Sequence, residues 1–277
     1  MHGKTIVITG ATSGIGEVAA IHLAQQGARI VFTARDKARA DVTMAKLRAA
    51  NAAAAHAVHM GDLSLLADMK RLAGEIGQEP RIDVLINNAG ALFYARRETR
   101  DGLERTFALN HMSYFVITNL LLPKLKRDAR IVSTSSGAHR RAKLDFSDLQ
   151  SCRGYSGLPV YSKSKLCNIL FTRELARRLA GTGITANCLH PGFVATRFGD
   201  QSGGIGSLLV RAAKPIAGIS PEEGARTILY LASSPEVANV NGEYFYECKV
   251  AGPTAEARND ADAKKLWDVS AQLAGLG

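Results

Sequence analysis

Short β-branched runs alternating with helix-length stretches constrain this chain more than any other feature. Thr5–Thr9, Arg29–Thr33, Ala57–Met60, Val84–Asn87, Ile131–Ser135 and Thr185–Leu189 are each four or five residues long. Largely apolar runs of this length fit strands covered on both faces. Between them lie helical patterns at Ile15–Gln26, Lys37–Ala50, around Leu63–Ile76, about Leu103–Leu125 and about Pro159–Ala180, with a last strand near Glu243–Glu247. Strand, crossover helix and strand, repeated, predict one α/β domain: a doubly wound parallel sheet of about seven strands with helices on both faces. No break in composition divides residues 1–277. Two stretches fall outside the alternation, the Gly-rich, poorly periodic 197–220 region and a C-terminal extension, 249–277. A loop as long as the first is usually functional.

Composition excludes other classes. Apolar residues make up 46% and charged residues 22%, which rules out a disordered or low-complexity scaffold. No apolar run approaches the roughly 18–20 residues that a membrane span needs. The opening Met1-His2-Gly3-Lys4 runs straight into an apolar strand without secretory-signal architecture. Cys152, Cys167, Cys188 and Cys248 have no CxxC spacing, so neither a metal site nor a disulfide framework is expected. Unpaired thiols fit a reducing compartment, and a cytoplasmic location is expected. The net charge of +10 is concentrated at Lys124, Lys126, Arg127 and Arg130, and at Arg140, Arg141 and Lys143. These clusters lack interleaved aromatics or a DNA-reading motif, so they read as solvated surface and no nucleic-acid partner is expected.

The first strand ends in Thr9-Gly10-Ala11-Thr12-Ser13-Gly14-Ile15-Gly16. Gly10 suits a tight turn, Gly14 lets a pyrophosphate approach backbone N–H groups at the helix start, and Gly16 allows close helix–strand packing. The spacing is G-x3-G-x-G, and a glycine-rich turn alone serves equally as a plain tight turn. Its place after the first strand favours the phosphate site. The second strand ends Thr33-Ala34-Arg35-Asp36. An acid there would accept from a ribose 2′-OH and repel a 2′-phosphate, whereas a small residue followed by Arg removes the repulsion and supplies a planar cation. NADP is thereby favoured over NAD, unless Arg35 only pairs with Asp36 or solvent.

Tyr161 and Lys165 stand one helical turn apart and share a face. A phenol of pKa ~10 is a poor base at neutral pH, and a nearby ammonium would lower it. Among the seven tyrosines, only this one has Lys four residues on. Ser133-Thr134-Ser135-Ser136 ends a predicted parallel strand, where open α/β sheets bind ligands. A hydroxyl there can hold a carbonyl oxygen, although each serine alone is equally a cap or turn residue. Local sequence does not separate Ser135 from Ser136.

Together Thr9–Gly16, Asn87-Asn88-Ala89-Gly90, Ser136, Tyr161-x3-Lys165 and Pro191-Gly192 resemble, in order and spacing, the short-chain dehydrogenase/reductase superfamily with its Rossmann-like fold. The likeness covers nearly the whole chain. Leu109-Asn110-His111, Ser135-Ser136-Gly137-Ala138-His139, Leu170-Phe171-Thr172-Arg173-Glu174-Leu175, His190-Pro191-Gly192 and the tail from Ala257-Arg258-Asn259 to Leu266-Trp267 are similar to its retinol dehydrogenase-like branch.

The resemblance implies an NADP(H)-dependent oxidoreductase interconverting a small apolar aldehyde or ketone and its alcohol. Tyr161 would be the acid/base, Lys165 would lower its pKa and bind the nicotinamide ribose, and Ser136 would polarise the carbonyl. Asn110, within a long helix, would hold a water that relays protons to Lys165. Gly10, Thr12, Ser13, Gly14, Ile15 and Gly16 would carry the pyrophosphate turn, and Arg35 the 2′-phosphate. Asp62 and Leu63 would flank the adenine, Asn88, Ala89 and Gly90 the ribose. Pro191, Gly192, Val194 and Thr196 would reach the nicotinamide side. Phe193, Phe198 and Ile205–Ile219 supply apolar side chains near the expected mouth. The resemblance also implies a homodimer or homotetramer, in which the helices at about 103–125 and 159–180 pair in a four-helix interface. The competing reading is a non-catalytic NADP(H)-binding redox sensor on the same fold.

Overall fold

The computed structural model describes residues 1–193 and 219–277. Strands β1 (Thr5–Thr9), β2 (Arg29–Ala34), β3 (Ala57–Met60), β4 (Ile82–Asn87), β5 (Leu125–Thr134), β6 (Thr185–Leu189), β7 (Tyr244–Tyr246) and β8 (Lys249–Val250) form one sheet. Its order is β3-β2-β1-β4-β5-β6-β7-β8, parallel except for the β7–β8 hairpin. The chain builds outward from β1 to β3 and then returns to β4 on the other side of β1. That reversal is the topological switch point where open sheets bind ligands.

Alternation along the strands explains the two faces. Ile6, Ile8, Ile30 and Phe32 pack into one core with α1 (Gly14–Gln25) and α2 (Lys37–Ala50), which Ile228 and Leu231 of a later helix complete. Val7, Val31 and Leu85 point the other way, toward α3 (Leu66–Ile76) and three helices that follow. All five residues of β1 are buried, as a strand with covers on both faces requires.

The stretch expected as one helix from about Leu103 to Leu125 is divided into four pieces. It runs as a single turn α4 (Arg105–Phe107), a π turn over Ala108–Met112, α5 (Ser113–Leu121) and a 3-10 turn at Leu122–Lys124. The Glu104 carboxylate caps it, accepting from the N–H groups of Thr106 and Phe107. Pro123 has no N–H to continue the ladder, and β5 has already begun at Leu125. Helix α6 (Gly157–Arg178) matches the expected 159–180 stretch closely.

Two helices and one strand escaped the sequence reading. Helix α7 (Pro221–Ser233) starts at Ser220, whose side chain accepts from the Glu223 N–H, with Pro221 in the first turn. Helix α8 (Asp260–Ala274) is capped by Asn259 and stopped by Gly275 in the left-handed region, φ +62°. Both sets of punctuation are legible in sequence. The two-residue β8 is not, because its turn uses Glu247 and Cys248 at φ +49° and +60° where Asn-Gly is the usual signal.

Helix α8 settles what the extension does. Trp267 stacks on Phe171 of α6, with centroids 5.8 Å apart, and meets Phe115 of α5 edge-on at 4.9 Å. Behind it, His111 hydrogen-bonds the Ser270 hydroxyl at 2.8 Å. Between Val160 and Ala176 only Lys163 and Arg173 of α6 are even partly exposed, and α5 is buried from Ser113 to Thr118. Helix α8 thus packs on α5 and α6, the two helices of the expected four-helix pairing. Trp267→Ala should cost about 3–5 kcal/mol, read as a lower urea midpoint, and a loss below about 1 kcal/mol would mean that α8 is not held by this contact.

Candidate active site

The carboxyl ends of β1, β4 and β5 are tied together before any ligand enters. The Thr9 hydroxyl accepts from the backbone N–H groups of Asn88 and Ala89 at 3.0 and 3.1 Å. The Asn88 amide returns hydrogen bonds to the Thr9 and Gly10 carbonyls at 3.3 and 3.1 Å. Its carbonyl oxygen accepts from Thr134 on β5 at 3.4 Å. Gly10, at φ +70°, crosses so close to β4 that a Cβ would sit 2.7 Å from the Ala89 Cα. Gly16 stands behind the turn, where a side chain would strike the Gly10 carbonyl and the Asn88 amide, so its role is packing rather than contact with a ligand.

A cleft of about 660 Å³ runs along these ends. Gly10, Thr12, Ser13, Gly14 and Ile15 line one wall, Arg35, Asp62 and Leu63 the far end, and Asn88, Ala89 and Gly90 the floor. Ser136, Tyr161, Lys165, Pro191 and Gly192 close the near end. The structure thus brings together the expected contact residues that it describes; Val194, Thr196, Phe198 and the loop up to residue 218 lie outside the described residues. These residues fit a dinucleotide. Ser13 caps α1 with an extended backbone and no side-chain hydrogen bond, so the first-turn N–H groups face the cleft beside glycine rather than a capping oxygen. Asp36, which also lines the cleft, caps α2 by accepting from the Arg39 N–H at 2.9 Å.

The two serines separate. Ser135 is buried and donates its hydroxyl to the Lys165 carbonyl at 2.7 Å, which locks β5 to α6. Ser136 opens the next 3-10 turn, and its hydroxyl is hydrogen-bonded with Tyr161. Lys165 Nζ donates to the Thr134 carbonyl at 3.0 Å and lies 5.6 Å from the Tyr161 ring centroid. A Cβ on Gly90 would come within 3.3 Å of Nζ and 3.2 Å of the Asn110 Oδ1, so a side chain there would crowd both groups. Asn110 sits in the π turn, not in a continuous helix. Its Oδ1 accepts from the Ala91 N–H, and its Nδ2 donates to the Ala91 carbonyl and the Ser164 hydroxyl, at 2.9–3.0 Å. Both side-chain polar atoms are therefore engaged within the protein. A π turn at such a place is a frequent mark of function that periodicity does not reveal.

Burial decides the electrostatics. It pushes the Tyr161 phenol up to about 12, against the opposing pull of the Ser136 hydrogen bond. The expected lowering by Lys165 does not emerge, because burial also pushes that ammonium down to about 7. Tyr161 is accordingly a neutral phenol at neutral pH.

Several lining residues had no warning in the motifs. Arg39 follows from the α2 register, but Arg105, which stands over the Phe93 ring at 4.2 Å, comes from the far side of β4. His190 and Tyr246 stack face to face, 4.1 Å between centroids, beside the Gly192 turn. Among the described residues no group of His, Cys, Asp or Glu is arranged to hold a metal ion.

Residues 4–203 match the family pattern described as short chain dehydrogenase. The chain belongs to that family. It is 42% identical to human retinol dehydrogenase 14, covering all of this chain and 88% of that one. Human retinol dehydrogenase 13 is 40% identical over 99% of this chain and 85% of the other. Among solved structures, an uncharacterized protein from Mycobacterium Paratuberculosis is 32% identical with a TM-score of 0.80, covering 99% and 94% of the two chains. A short chain dehydrogenase from Burkholderia cenocepacia J2315, solved in complex with NADP, is 25% identical with a TM-score of 0.70 over 88% and 96%. This short-chain dehydrogenase is thus an oxidoreductase similar to the retinol dehydrogenases.

The depressed Lys165 pKa has a thermodynamic consequence. Between about pH 7 and 10.5 the unfolded chain holds a proton on this lysine that the folded chain lacks, so stability rises with pH across that window. Relative to Lys165→Met, which lacks the group, the wild type should gain on the order of 3 kcal/mol from pH 7 to 9.5. Urea unfolding across that range checks it; a constant gap between the two proteins would mean that Lys165 titrates normally.

Proposed function

We propose that this enzyme interconverts an apolar aldehyde or ketone and its alcohol, using NADP(H). The observation that carries the reading is the convergence of a buried, neutral Tyr161 and the Ser136 hydroxyl at one end of a dinucleotide-sized cleft whose other end holds Arg35. The Burkholderia neighbour solved with NADP supports the cofactor choice, as does the lack of an acid at Ala34–Arg35.

Gly10 to Ile15 would hold the pyrophosphate, Arg35 the 2′-phosphate, Asp62 and Leu63 the adenine, and Asn88 to Gly90 the ribose. Pro191 and Gly192 would lie against the nicotinamide, with Val194 and Thr196 following. The bound dinucleotide supplies or accepts the hydride. In the reducing direction Ser136 donates a hydrogen bond to the substrate carbonyl oxygen, and Tyr161 delivers its phenolic proton to that same atom as charge grows there. Lys165, one turn on, holds the ribose hydroxyls, and its charge favours the phenolate left behind. Asn110 serves the return of the proton through a water, while its side chain ties Ala91 to Ser164. Ser164 in turn donates to the Tyr161 carbonyl at 2.7 Å, which fixes the start of the catalytic turn.

Leu92, Phe93, Leu158, Phe193 and Tyr246 give the mouth an apolar lining, and Leu158 and Phe193 are about half exposed, at 45% and 53%. Such a surface takes a greasy substrate. A redox sensor would not need all three of Tyr161, Lys165 and Ser136 gathered at one point.

Tyr161→Phe removes only the hydroxyl, so turnover of aldehydes and ketones should fall roughly 10²- to 10⁴-fold while NADPH still binds. Loss of reduced-nicotinamide absorbance over a carbonyl panel measures it. A variant with most of its activity left would refute the proton donor. For the cofactor, Ala34→Asp combined with Arg35→Ala should weaken NADPH about ten- to hundredfold and improve NADH. Fluorescence titration with unchanged NADPH affinity would remove Arg35 from the site.

A further inference from the structure

Beside the adenine end of the cleft opens a second cavity of about 390 Å³, lined by Arg35, Asp36, Arg39, Phe93 and Arg105. Arg35 and Arg39 come from the end of β2 and the first turn of α2. Arg105 comes from a different element, as the first residue of α4. Its guanidinium is braced over Phe93, which lines both cavities, with Cζ 4.2 Å from the ring centroid. That contact orients the group without neutralising it.

Two of the nearby acids cap helices. Asp36 accepts from the Arg39 backbone, and both carboxylate oxygens of Glu104 accept from N–H groups of its own turn. Among the described residues Arg105 forms no ion pair within 4.0 Å. Burial holds it below the usual arginine range, and the facing charge of Arg35 adds to that, with Asp62 pulling the other way and Arg97 and Glu104 contributing less. Three guanidinium groups therefore share one pocket with a single carboxylate. Arg105 is partly buried and has no ion pair among the described residues, which is costly, and an anion entering beside it relieves that cost.

We propose that Arg105 is a third ligand of the NADP(H) 2′-phosphate, beside Arg35 and Arg39. The inference rests on the NADP(H) reading above and adds a residue from a different element. A planar guanidinium offers paired donors that match two phosphate oxygens, so contacts from two elements clamp the group rather than merely attract it. A phosphate held this way also pins the α4 wall, and with it the π turn that carries Asn110.

Calorimetric titration of the full chain with NADPH, NADH, 2′-AMP and AMP tests this, using Arg105→Met and Arg105→Lys. Methionine keeps an apolar stem against Phe93 while removing the charge. NADPH and 2′-AMP should each bind Arg105→Met about tenfold more weakly or worse, the scale of one charge-assisted contact, with NADH and AMP unchanged. Lysine should recover part of the loss, since it restores charge without the planar fork. Equal weakening of all four ligands would mean that Arg105 only braces Phe93 and would overturn the proposal. So would an Arg105→Met protein that favours 2′-AMP over AMP as strongly as wild type. A wild-type chain that does not distinguish 2′-AMP from AMP would instead refute the NADP(H) reading itself.

Discussion

A helix buried on nearly all sides cannot turn, and the placement of Tyr161 and Lys165 depends on that. Helix α6 is wedged between the sheet, α5 and α8. Ser135 holds its Lys165 carbonyl, and Asn168 and Lys165 both donate to the Thr134 carbonyl. Side chains that project from such a helix toward the cleft have few alternatives. Their geometry is set by packing that lies outside the site, which is how a fold preorganises polar groups without flexible tethers.

The same burial has an electrostatic cost, and the proposed chemistry uses it. Removing Tyr161 from water keeps it neutral, as the proposed proton donor must be. Removing Lys165 from water weakens its hold on a proton, which brings that group near neutrality as well. Two residues that would sit far apart on the pH scale in water are thereby made responsive to what binds beside them. An anion bound next to Lys165 would favour its charged form.

At the opposite end of the cleft the problem is reversed. Cations crowd together, and two nearby acids are helix caps. Caps at Asp36 and Glu104 stabilise the starts of α2 and α4. One set of local hydrogen bonds thus secures the walls of this positive end. Charge of this sign suits the phosphate-bearing half of a dinucleotide, while the apolar mouth near Phe193 and Tyr246 suits a greasy substrate.

Much of this was written locally. The parallel sheet follows from β-branched runs and intervening helices, the glycine turn from the need for positive φ at Gly10, and the Tyr161–Lys165 face from helical spacing. The caps of α7 and α8 were equally local, at Ser220-Pro221 and at Asn259 with Gly275. What the tertiary structure decided depended on contacts between residues distant in sequence. Periodicity could not show that the 103–125 stretch breaks into a π turn at Asn110, because that turn is held by Ala91 and Ser164. It could not separate Ser135 from Ser136, since only the approach of α6 occupies the first and leaves the second facing Tyr161. Nor could spacing show that burial outweighs the ammonium at Tyr161, that α8 packs on α5 and α6, or that Arg105 reaches the pocket of Arg35. Local preferences act through the chain itself, whereas desolvation and charge crowding exist only once remote segments have closed around a group.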